Sequence, residues 1–422
     1  MPKANSKRAK RVPASVPFRP LRDGQLITAT VAFVTVPGVK EWPATTSYGA
    51  MVGLHDALRQ GLRPAIGQRL DVLSSLTGAI VIIPDTSSLF IHHHLNKLGI
   101  MWAQLGIPVR VGVTHGDLEI LADADGMRNA IGQPLNIAAR LATTSNTPGC
   151  VLHSSYLDVV QNIVEEQDFL QGARAVALVG KAHDRGKMKG RKVTSQAFPT
   201  ISRLDATRLP ATRAKSVNAV AIGYDLPRFS AGDRSELSKR FRAVSDVFNS
   251  LGADGHLGPA SSLYFSPGGD GGIIVLEVSK RFGHQAAERM TTQLLVESLG
   301  KDECVQVNTR VGIHYGPVSV YRNAGSVLRP TGPVCFVADA IASDQKPSGV
   351  RASSVVFSEV FRDVLGEGNN EFFSQAFTEL PPLPKGPAKG IKRFIRQRVG
   401  PTVEDEPYKQ LTKRPTSWEP AP

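Results

Sequence analysis

Cysteine is scarce in this chain of 422 residues, and its spacing gives no disulfide framework. The three cysteines, Cys150, Cys304 and Cys335, are odd in number, lie far apart and form no Cys-x-x-Cys pair. Small secreted domains stabilised by disulfides carry dense, even sets of cysteines. We therefore expect reduced thiols that pack in cores, and a protein of the cytoplasm.

Long apolar runs are missing as well. The best run is GAIVIIP at 78–84, far short of the roughly 18–20 residues of a membrane helix. The N-terminal stretch MPKANSKRAKRVP is basic but has no apolar segment of the kind found in a signal peptide. We expect no membrane contact, and a hydrophobic content of 41% with 21% charged residues is typical of a soluble globular protein.

Acidic residues are too few to balance the basic ones. The chain has 37 Asp and Glu against 50 Lys and Arg, which gives a formal net charge of +13. A positive protein suits a polyanionic ligand, either a nucleic acid or a nucleoside triphosphate. Aromatic residues make up only 6%, and the predicted strands carry no aromatic motif of the kind that stacks RNA bases. The composition therefore disfavours a nucleic-acid partner on a sheet surface.

The chain repeats itself at an interval of two hundred residues. VRVGVTHGDL at 109–118 matches TRVGIHYGPV at 309–318, and GQPLNIAARL at 132–141 matches GPVCFVADAI at 332–341. Strand and helix patterns occur twice in the order β-α-β-β-α-β. This order predicts an α+β fold of two tandem ferredoxin-like domains.

Composition and periodicity place the boundaries and the main elements of both repeats. We expect a disordered basic arm over 1–22, a first domain over 23–200, a polar linker over 201–215, a second domain over 216–398 and a disordered tail over 399–422. In the first domain the patterns predict a strand over 26–36, a helix over 47–62 and a hairpin over 70–84; in the second, a strand over 217–226, a helix over 232–251 and a hairpin over 261–278.

Two carboxylates of the second repeat are placed to come together. Asp225 ends the first predicted strand, and Asp270 lies in the hairpin turn GGDGG. Neighbouring antiparallel strands can bring these side chains together, and paired carboxylates suit Mg²⁺ or Mn²⁺ ions that carry phosphates. The first repeat has Thr35 and Ala79 at the positions that we align with them, so we expect no such metals there.

The first repeat carries a different pair of polar residues. Asn136 and Arg140 are one helical turn apart and therefore lie on one face of a helix. The second repeat has Phe336 and Ala340 in their places. An arginine on a helix of small residues, beside the turn Gly-Gln-Pro, can reach an oxyanion.

Together these motifs resemble the catalytic domain of class III nucleotide cyclases. The resemblance rests on the strand ending in Asp, the hairpin GGDGG, RVGIHYG at 310–316 and NIAARL at 136–141, and it covers about 20–200 and 215–398. In that family two domains dimerise head to tail; one gives two metal-binding aspartates and the other gives an Asn and an Arg. The resemblance implies an intramolecular pseudo-heterodimer with one working site and one inert pocket.

The resemblance also implies how a nucleoside triphosphate substrate and its ions are held. Asp225 and Asp270, with the backbone carbonyl of Leu226, would bind two ions, Mg²⁺ or Mn²⁺. Lys189 and Arg310 would contact the triphosphate.

The remaining roles concern the ribose, the α-phosphate and the base. By the same resemblance, Asn136 would orient the ribose and Arg140 would stabilise charge on the α-phosphate. Adenylate cyclases read adenine with a Lys and with an Asp or Thr, and guanylate cyclases use Glu and Cys; Ser75 and Asn129 at these positions fit neither pair. This favours UTP or CTP, as in the pyrimidine cyclases of bacterial antiphage (Pycsar) systems, with a cyclic-nucleotide-responsive effector encoded nearby. The alternatives are an adenylate cyclase and a non-catalytic nucleotide-binding sensor.

Overall fold

Two eight-stranded sheets with the same strand order form the frame of the protein in a computed structural model. One sheet is built from each repeat, so the predicted α+β fold class is confirmed. The structure describes residues 22–85, 91–122, 128–144, 149–161, 174–176, 193–196, 201–211, 214–226, 238–239, 241–242, 263–268, 271–278, 310–343, 355–365, 377–383 and 386–396. No helix among these residues is long and apolar enough to cross a membrane.

The first half follows the predicted β-α-β-β-α-β order and then adds further strands. The sheet order is β2-β3-β1-β4-β6-β8-β7, and β5 pairs with β4. β1 is antiparallel to both β3 and β4, which places it at the centre of the core. The elements are β1 (Gln25–Thr35), α1 (Ala44–Leu62), β2 (Asp71–Ser75), β3 (Gly78–Pro84), α2 (His92–Gln104), β4 (Arg110–Ala122), β5 (Arg128–Ile131), α3 (Gln133–Thr144), β6 (Gly149–His153), α4 (Ser154–Gln161), β7 (Arg174–Val176) and β8 (Val193–Gln196).

The second half repeats this arrangement of strands. Its sheet order is β10-β11-β9-β12-β14-β16-β15, with β13 paired to β12. Of the predicted helix at 232–251, residues 238–239 and 241–242 are helical and the rest lies outside the described residues. The elements are β9 (Lys215–Asp225), β10 (Leu263–Pro267), β11 (Gly271–Glu277), β12 (Arg310–Arg322), β13 (Leu328–Thr331), α5 (Pro333–Ser343), β14 (Val355–Ser358), α6 (Glu359–Leu365), β15 (Phe377–Leu380) and β16 (Arg393–Arg396).

Strand β1 is mostly apolar from Ala29 to Val34 because both of its faces are covered there. Ala32 and Val34 belong to a core cluster that includes Met51 of α1, whereas Ala29 and Val31 belong to a second cluster on the opposite face. Side chains alternate between the faces of a strand, so a strand buried on both sides reads as a continuous apolar run. The polar residues of the candidate site lie at strand ends and on helices beyond this core.

Glycines in β4 and β12 fix the position of α3 and α5 on their sheets. A Cβ atom at Gly112 would lie 2.1 Å from the carbonyl oxygen of Ala138, and one at Gly312 would lie 2.4 Å from that of Ala338. Only glycine allows a helix backbone to come this close to a strand. Because both contacts keep the interval of two hundred residues, α3 and α5 occupy equivalent positions in their halves.

The predicted linker is ordered where it leaves the first half. Residues 206–208 form a 3₁₀ helix, and the Asp205 side chain accepts a hydrogen bond from the Thr207 N–H at 3.2 Å. Leu209 packs against Gly49 of α1. Strand β9 begins at Lys215, the last residue that we assigned to the linker.

Candidate active site

The last residues of β1 and β9 have equivalent cross-strand partners. Asp225 pairs with Gly271 of β11 and with Arg310 of β12. In the first half Thr35 pairs in the same way with Gly78 of β3 and with Arg110 of β4. The position at the end of the central strand is therefore occupied by a carboxylate in one half and by a hydroxyl in the other.

This register corrects one alignment made from the sequence. Gly78 is the equivalent of Gly271, so the residue that corresponds to Asp270 is Thr77, and not Ala79 as predicted. The connection between central strand and hairpin differs in length between the halves, and counting along the chain cannot show which residue of the turn faces the strand end.

Two hydroxyl groups lie together at this position in the first half. Thr35 Oγ1 donates to Thr77 Oγ1 at 3.0 Å, and Thr35 is buried. Divalent ions that carry phosphates prefer carboxylate oxygens. The first half therefore lacks the anionic ligands that such ions need at this strand end.

The Asp225 carboxylate contacts a buried arginine. Arg310 Nη1 donates to Asp225 Oδ2 at 3.2 Å, and the side chains are 6% and 24% exposed respectively. A Cβ atom at the facing Gly271 would lie 2.2 Å from the carbonyl oxygen of Tyr224, so the hairpin needs glycine here to reach the strand end. The side chain of Leu226 is buried, which leaves only its backbone for a role at the site.

Two of the predicted site residues, Asp270 and Lys189, lie outside the residues that the structure describes. Within the described ranges, no group of three or more His, Cys, Asp and Glu residues could hold a metal ion.

Helix α3 carries both predicted catalytic residues near its first turns. Asn136 is half-buried, its N–H donates to the carbonyl oxygen of Gly132 at 3.5 Å, and Arg140 is exposed. The buried Ala138 faces the sheet on Gly112. Packing of this small residue leaves the Arg140 side chain on the outside of the helix, where it can reach a ligand.

The equivalent helix, α5, is closed against the first half. Phe336 is fully buried in a core cluster with Val36 and Val39, which follow β1. Beside it, Lys40 Nζ pairs with Asp339 Oδ2 at 2.6 Å across the two halves. An aromatic side chain and an ion pair thus fill the region where the equivalents of Asn136 and Arg140 would face a substrate.

The two residues predicted to read the base are both buried. Ser75 is 4% exposed, and its Oγ has no hydrogen-bond partner among the residues that the structure describes. Asn129 is fully buried, and its Oδ1 accepts the N–H of Ala130 at 2.8 Å. Strands β2 and β5, which carry them, are joined by an ion pair of 2.7 Å between Arg128 and Asp71. Burial raises the pKa of the Asp71 carboxyl, and Arg128 opposes this shift.

Sequence reasoning missed a polar contact between the two halves. His55 of α1 is fully buried, its Nδ1 accepts the N–H of Ala324 at 3.2 Å, and its Nε2 lies 3.3 Å from the hydroxyl oxygen of Tyr321. Burial lowers the pKa of His55 to about 3. The only local signal is one histidine on the apolar face of a helix, which by itself predicts no more than a core residue.

Comparison with known proteins identifies structural neighbours but no close relative. A scan against protein-family models finds no match, and neither does a search of curated proteins. The chain is similar to the catalytic core of a rhodopsin-guanylyl cyclase with converted specificity in complex with ATPαS, at 17% identity over 44% of this chain and 100% of that chain, with a TM-score of 0.32.

Two further solved structures show the same range of similarity. They are the guanylate cyclase domain of RhGC from Catenaria anguillulae in complex with GTP (15% identity, 44% of this chain, 98% of that chain, TM-score 0.31) and an adenylate/guanylate cyclase/hydrolase from Silicibacter pomeroyi (14% identity, 44% of this chain, 100% of that chain, TM-score 0.32). At these identities and TM-scores the similarity assigns no activity to this chain. The neighbours are adenylate and guanylate cyclase domains, each matched by less than half of the present protein.

Proposed function

We propose that the protein is a nucleotide cyclase that converts a nucleoside triphosphate to a 3′,5′-cyclic nucleotide and pyrophosphate. The observation that carries this proposal is the register at the ends of the central strands. Asp225 faces Gly271, the residue after Asp270, whereas Thr35 faces Gly78, the residue after Thr77. Carboxylates therefore remain at this position in one half alone.

The helices support a composite site because they are asymmetric in the opposite sense. Helix α3 of the first half carries Asn136 and Arg140, while the equivalent α5 carries Phe336, which is buried, and Ala340. Each half has the polar groups that the other lacks. This complementarity supports one working site formed by the carboxylates of the second half and the helix of the first, in an intramolecular pseudo-heterodimer.

The chemistry of the available ligands fits hard divalent cations. The Asp225 carboxylate is partly exposed at a strand end, and carboxylate and carbonyl oxygens are the ligands that Mg²⁺ and Mn²⁺ prefer. Asp225, Asp270 and the Leu226 carbonyl would hold two such ions. When bound, the ions would supply Lewis acidity toward the ribose 3′-hydroxyl and the leaving pyrophosphate.

The side chains of the two halves would divide the remaining work. Asn136 would orient the ribose so that its 3′-oxygen faces the α-phosphorus. The ribose 3′-oxygen would form a new bond to the α-phosphorus while the bond from that phosphorus to the oxygen of the leaving pyrophosphate breaks. Arg140 would donate hydrogen bonds to the α-phosphate oxygens during this step. The proton of the 3′-hydroxyl would pass to water. Arg310 and Lys189 would neutralise the triphosphate.

The two residues predicted to read the base favour a small base. Ser75 and Asn129 have short side chains. A buried hydroxyl without a partner in the described part of the chain, such as Ser75 Oγ, is costly unless a ligand completes it. We therefore favour UTP or CTP, with cUMP or cCMP as the signal read by an effector protein in antiphage defence in the cytoplasm. An adenylate cyclase that makes cAMP is the alternative.

Product analysis with each nucleotide tests the proposal. The purified chain is incubated with ATP, GTP, CTP or UTP and Mn²⁺, and products are separated by chromatography with pyrophosphate measured in parallel. We expect one pyrimidine nucleotide to give a cyclic product with equal pyrophosphate, and Asp225→Asn to abolish both. Arg310 forms an ion pair with the Asp225 carboxylate. The same pair is compatible with a nucleotide-binding sensor that binds no metal. Nucleotide binding without pyrophosphate release would therefore favour the sensor.

A further inference from the structure

The turn between β12 and β13 inserts into a polar site on the first half. His55 on α1 receives the N–H of Ala324 at Nδ1, at 3.2 Å. A backbone N–H can only donate, so Nδ1 is the acceptor and the neutral ring carries its proton on Nε2. That nitrogen lies 3.3 Å from the hydroxyl oxygen of Tyr321, and the two ring centroids are 5.2 Å apart. The contact therefore requires one tautomer and one rotamer of His55.

Other atoms of the same turn are also bound by the first half. Asn323 Nδ2 donates to Ser74 Oγ of β2 at 2.8 Å, and Arg59 Nη2 of α1 donates to the Asn323 carbonyl oxygen at 2.6 Å. The Asn323 side chain also accepts the N–H of Val327 at 2.9 Å, which shapes the turn. We name these residues the interface cluster: His55, Arg59 and Ser74 of the first half with Tyr321, Asn323 and Ala324 of the second.

Burial makes this cluster sensitive to the identity of the partner. His55 and Ser74 are fully buried, and Tyr321 and Asn323 are each 2% exposed. Water cannot replace a missing hydrogen bond at such positions, so a wrong partner leaves a buried polar group unsatisfied.

A pair of first halves would remove a contact of His55. Strands β4 and β12 begin at equivalent residues, Arg110 and Arg310, and have equal length, so the equivalent of Tyr321 is Leu121. Leucine has no hydrogen-bonding group in its side chain. Facing Leu121, Nε2 of His55 would lose its contact with the Tyr321 hydroxyl and keep only partners of its own half, such as the backbone of Gly78.

A pair of second halves would fail at the other end of the cluster. Ser74 pairs with Ala79, the residue after the hairpin glycine Gly78. Pro267 pairs with Gly272, the residue after the equivalent glycine Gly271. The equivalent of Ser74 is therefore Pro267, which has no hydroxyl. Asn323 would lose the acceptor for its side-chain amide.

The far side of the interface shows the same asymmetry. Ser238 Oγ donates to Glu119 Oε1 at 2.8 Å, and Arg242 lies 3.8 Å from the same carboxylate. The equivalent of Glu119 on β12 is Ser319, which carries no charge. A pair of second halves would thus leave Arg242 without this partner.

We infer that the interface cluster selects the partner of each half, so that a first half pairs with a second half and not with another first half. This selection goes beyond the proposed catalysis and does not depend on it. Its function is to keep the halves in the one combination that places unlike strand ends and helices together. The partner that fits the surface of His55, Arg59 and Ser74 is the turn of residues 321–324.

Capture between differently tagged full-length chains tests the inference. Two forms of the chain with different affinity tags are co-expressed, one tag is purified and the other is quantified. The test variant is Tyr321→Phe with Asn323→Ala. The matched control is Tyr264→Phe, which removes a hydrogen bond of 3.2 Å to Glu277 inside the second half. We expect the test variant to capture about tenfold more of the second tag than wild type or control, the factor that one buried hydrogen bond gives in an equilibrium constant.

Cross-linking then identifies the halves that meet in the captured complexes. Chains labelled with ¹⁴N and ¹⁵N are mixed by co-refolding, and cross-links between the two labels are assigned by mass spectrometry. Links between like halves in the test variant support the inference. Capture no greater than that of Tyr264→Phe, or links between unlike halves alone, overturns it. If circular dichroism shows that the double variant is unfolded, Tyr321→Phe alone, which removes one oxygen, is judged by the same criteria.

Discussion

Arg310 and Asp225 form an ion pair at the end of the central strand of the second half, with Nη1 and Oδ2 3.2 Å apart. The two residues are direct partners in the β9–β12 register, and the arginine is the more deeply buried. A buried charge that loses its partner costs more than an exposed one. The pair therefore links the folding of this strand end to the carboxylate that we assign to metal binding.

The unequal burial of this pair predicts unequal mutant stabilities. Asp225→Asn removes the charged partner of the buried guanidinium and should lower the free energy of unfolding by about 1–3 kcal/mol. Arg310→Met leaves a partly exposed carboxylate that water can solvate, so its cost should be smaller. Urea denaturation of both variants measures the difference. Equal losses would show that the pair does not differ in its access to solvent.

The hydroxyl pair of the first half should matter for stability and not for turnover. Thr35→Val keeps the shape of the side chain but removes the hydrogen bond of 3.0 Å to Thr77, and we expect a loss of about 1 kcal/mol in the free energy of unfolding.

Asp225→Ala and Asp270→Ala should abolish cyclisation, because either change leaves the ions too few ligands. Steady-state rates and denaturation curves on the same preparations separate the two effects. Normal turnover by either Asp variant would disprove the metal assignment.

Sequence patterns predicted the frame of this fold better than its details. Strand β1 and helix α1 could be predicted because their hydrophobic patterns extend over many residues. β5 and β13 were missed because four residues carry little periodic signal. The equivalence of Thr77 to Asp270 depends on cross-strand register, and no count along the chain gives it. The contacts of His55 join residues far apart in sequence, so no local pattern could indicate them.

Arg140 should act mainly on the rate of the chemical step. A donor to the α-phosphate gains strength as negative charge builds in the transition state, so Arg140→Ala should lower kcat by about a hundredfold or more with a small change in KM. Arg63→Ala, which removes another exposed arginine, is the control. A rise in KM with unchanged kcat would instead make Arg140 a ground-state contact of the substrate.

Buried histidines predict that the protein loses stability in acid. Burial lowers the pKa of His55 from 6.5 to about 3 and that of His314 to about 4. Between these values and pH 6.5 the unfolded chain binds protons that the folded chain does not, so stability rises with pH across this window and falls on acidification. In His55→Gln the pH dependence of the free energy of unfolding should be shallower by about one proton. Denaturation curves from pH 4 to pH 7 measure it, and an unchanged slope would contradict the burial of a neutral His55.

The composite site predicts a specific failure of complementation. Asp270→Ala damages the second half and Arg140→Ala damages the first, so each full-length variant should be inactive. In a dimer with sites shared between chains, mixing the two variants would restore one intact site. In the proposed intramolecular site both contributions come from one chain, and the connection through residues 201–215 would keep the halves at high effective concentration. We therefore expect no recovery of cyclisation on mixing.

Breaking the interface cluster provides the positive control for this experiment. With Tyr321→Phe and Asn323→Ala added to both inactive variants, the halves should open and exchange more readily, since the hydrogen bonds to His55 and Ser74 are lost. Exchange would bring an intact first half against an intact second half in some complexes, and part of the activity should return with rising protein concentration. Full recovery in the mixture with an intact cluster, with no sign that halves are exchanged between chains, would place the working interface between chains. The assignment of Asp270 and Arg140 to one intramolecular site would then be wrong.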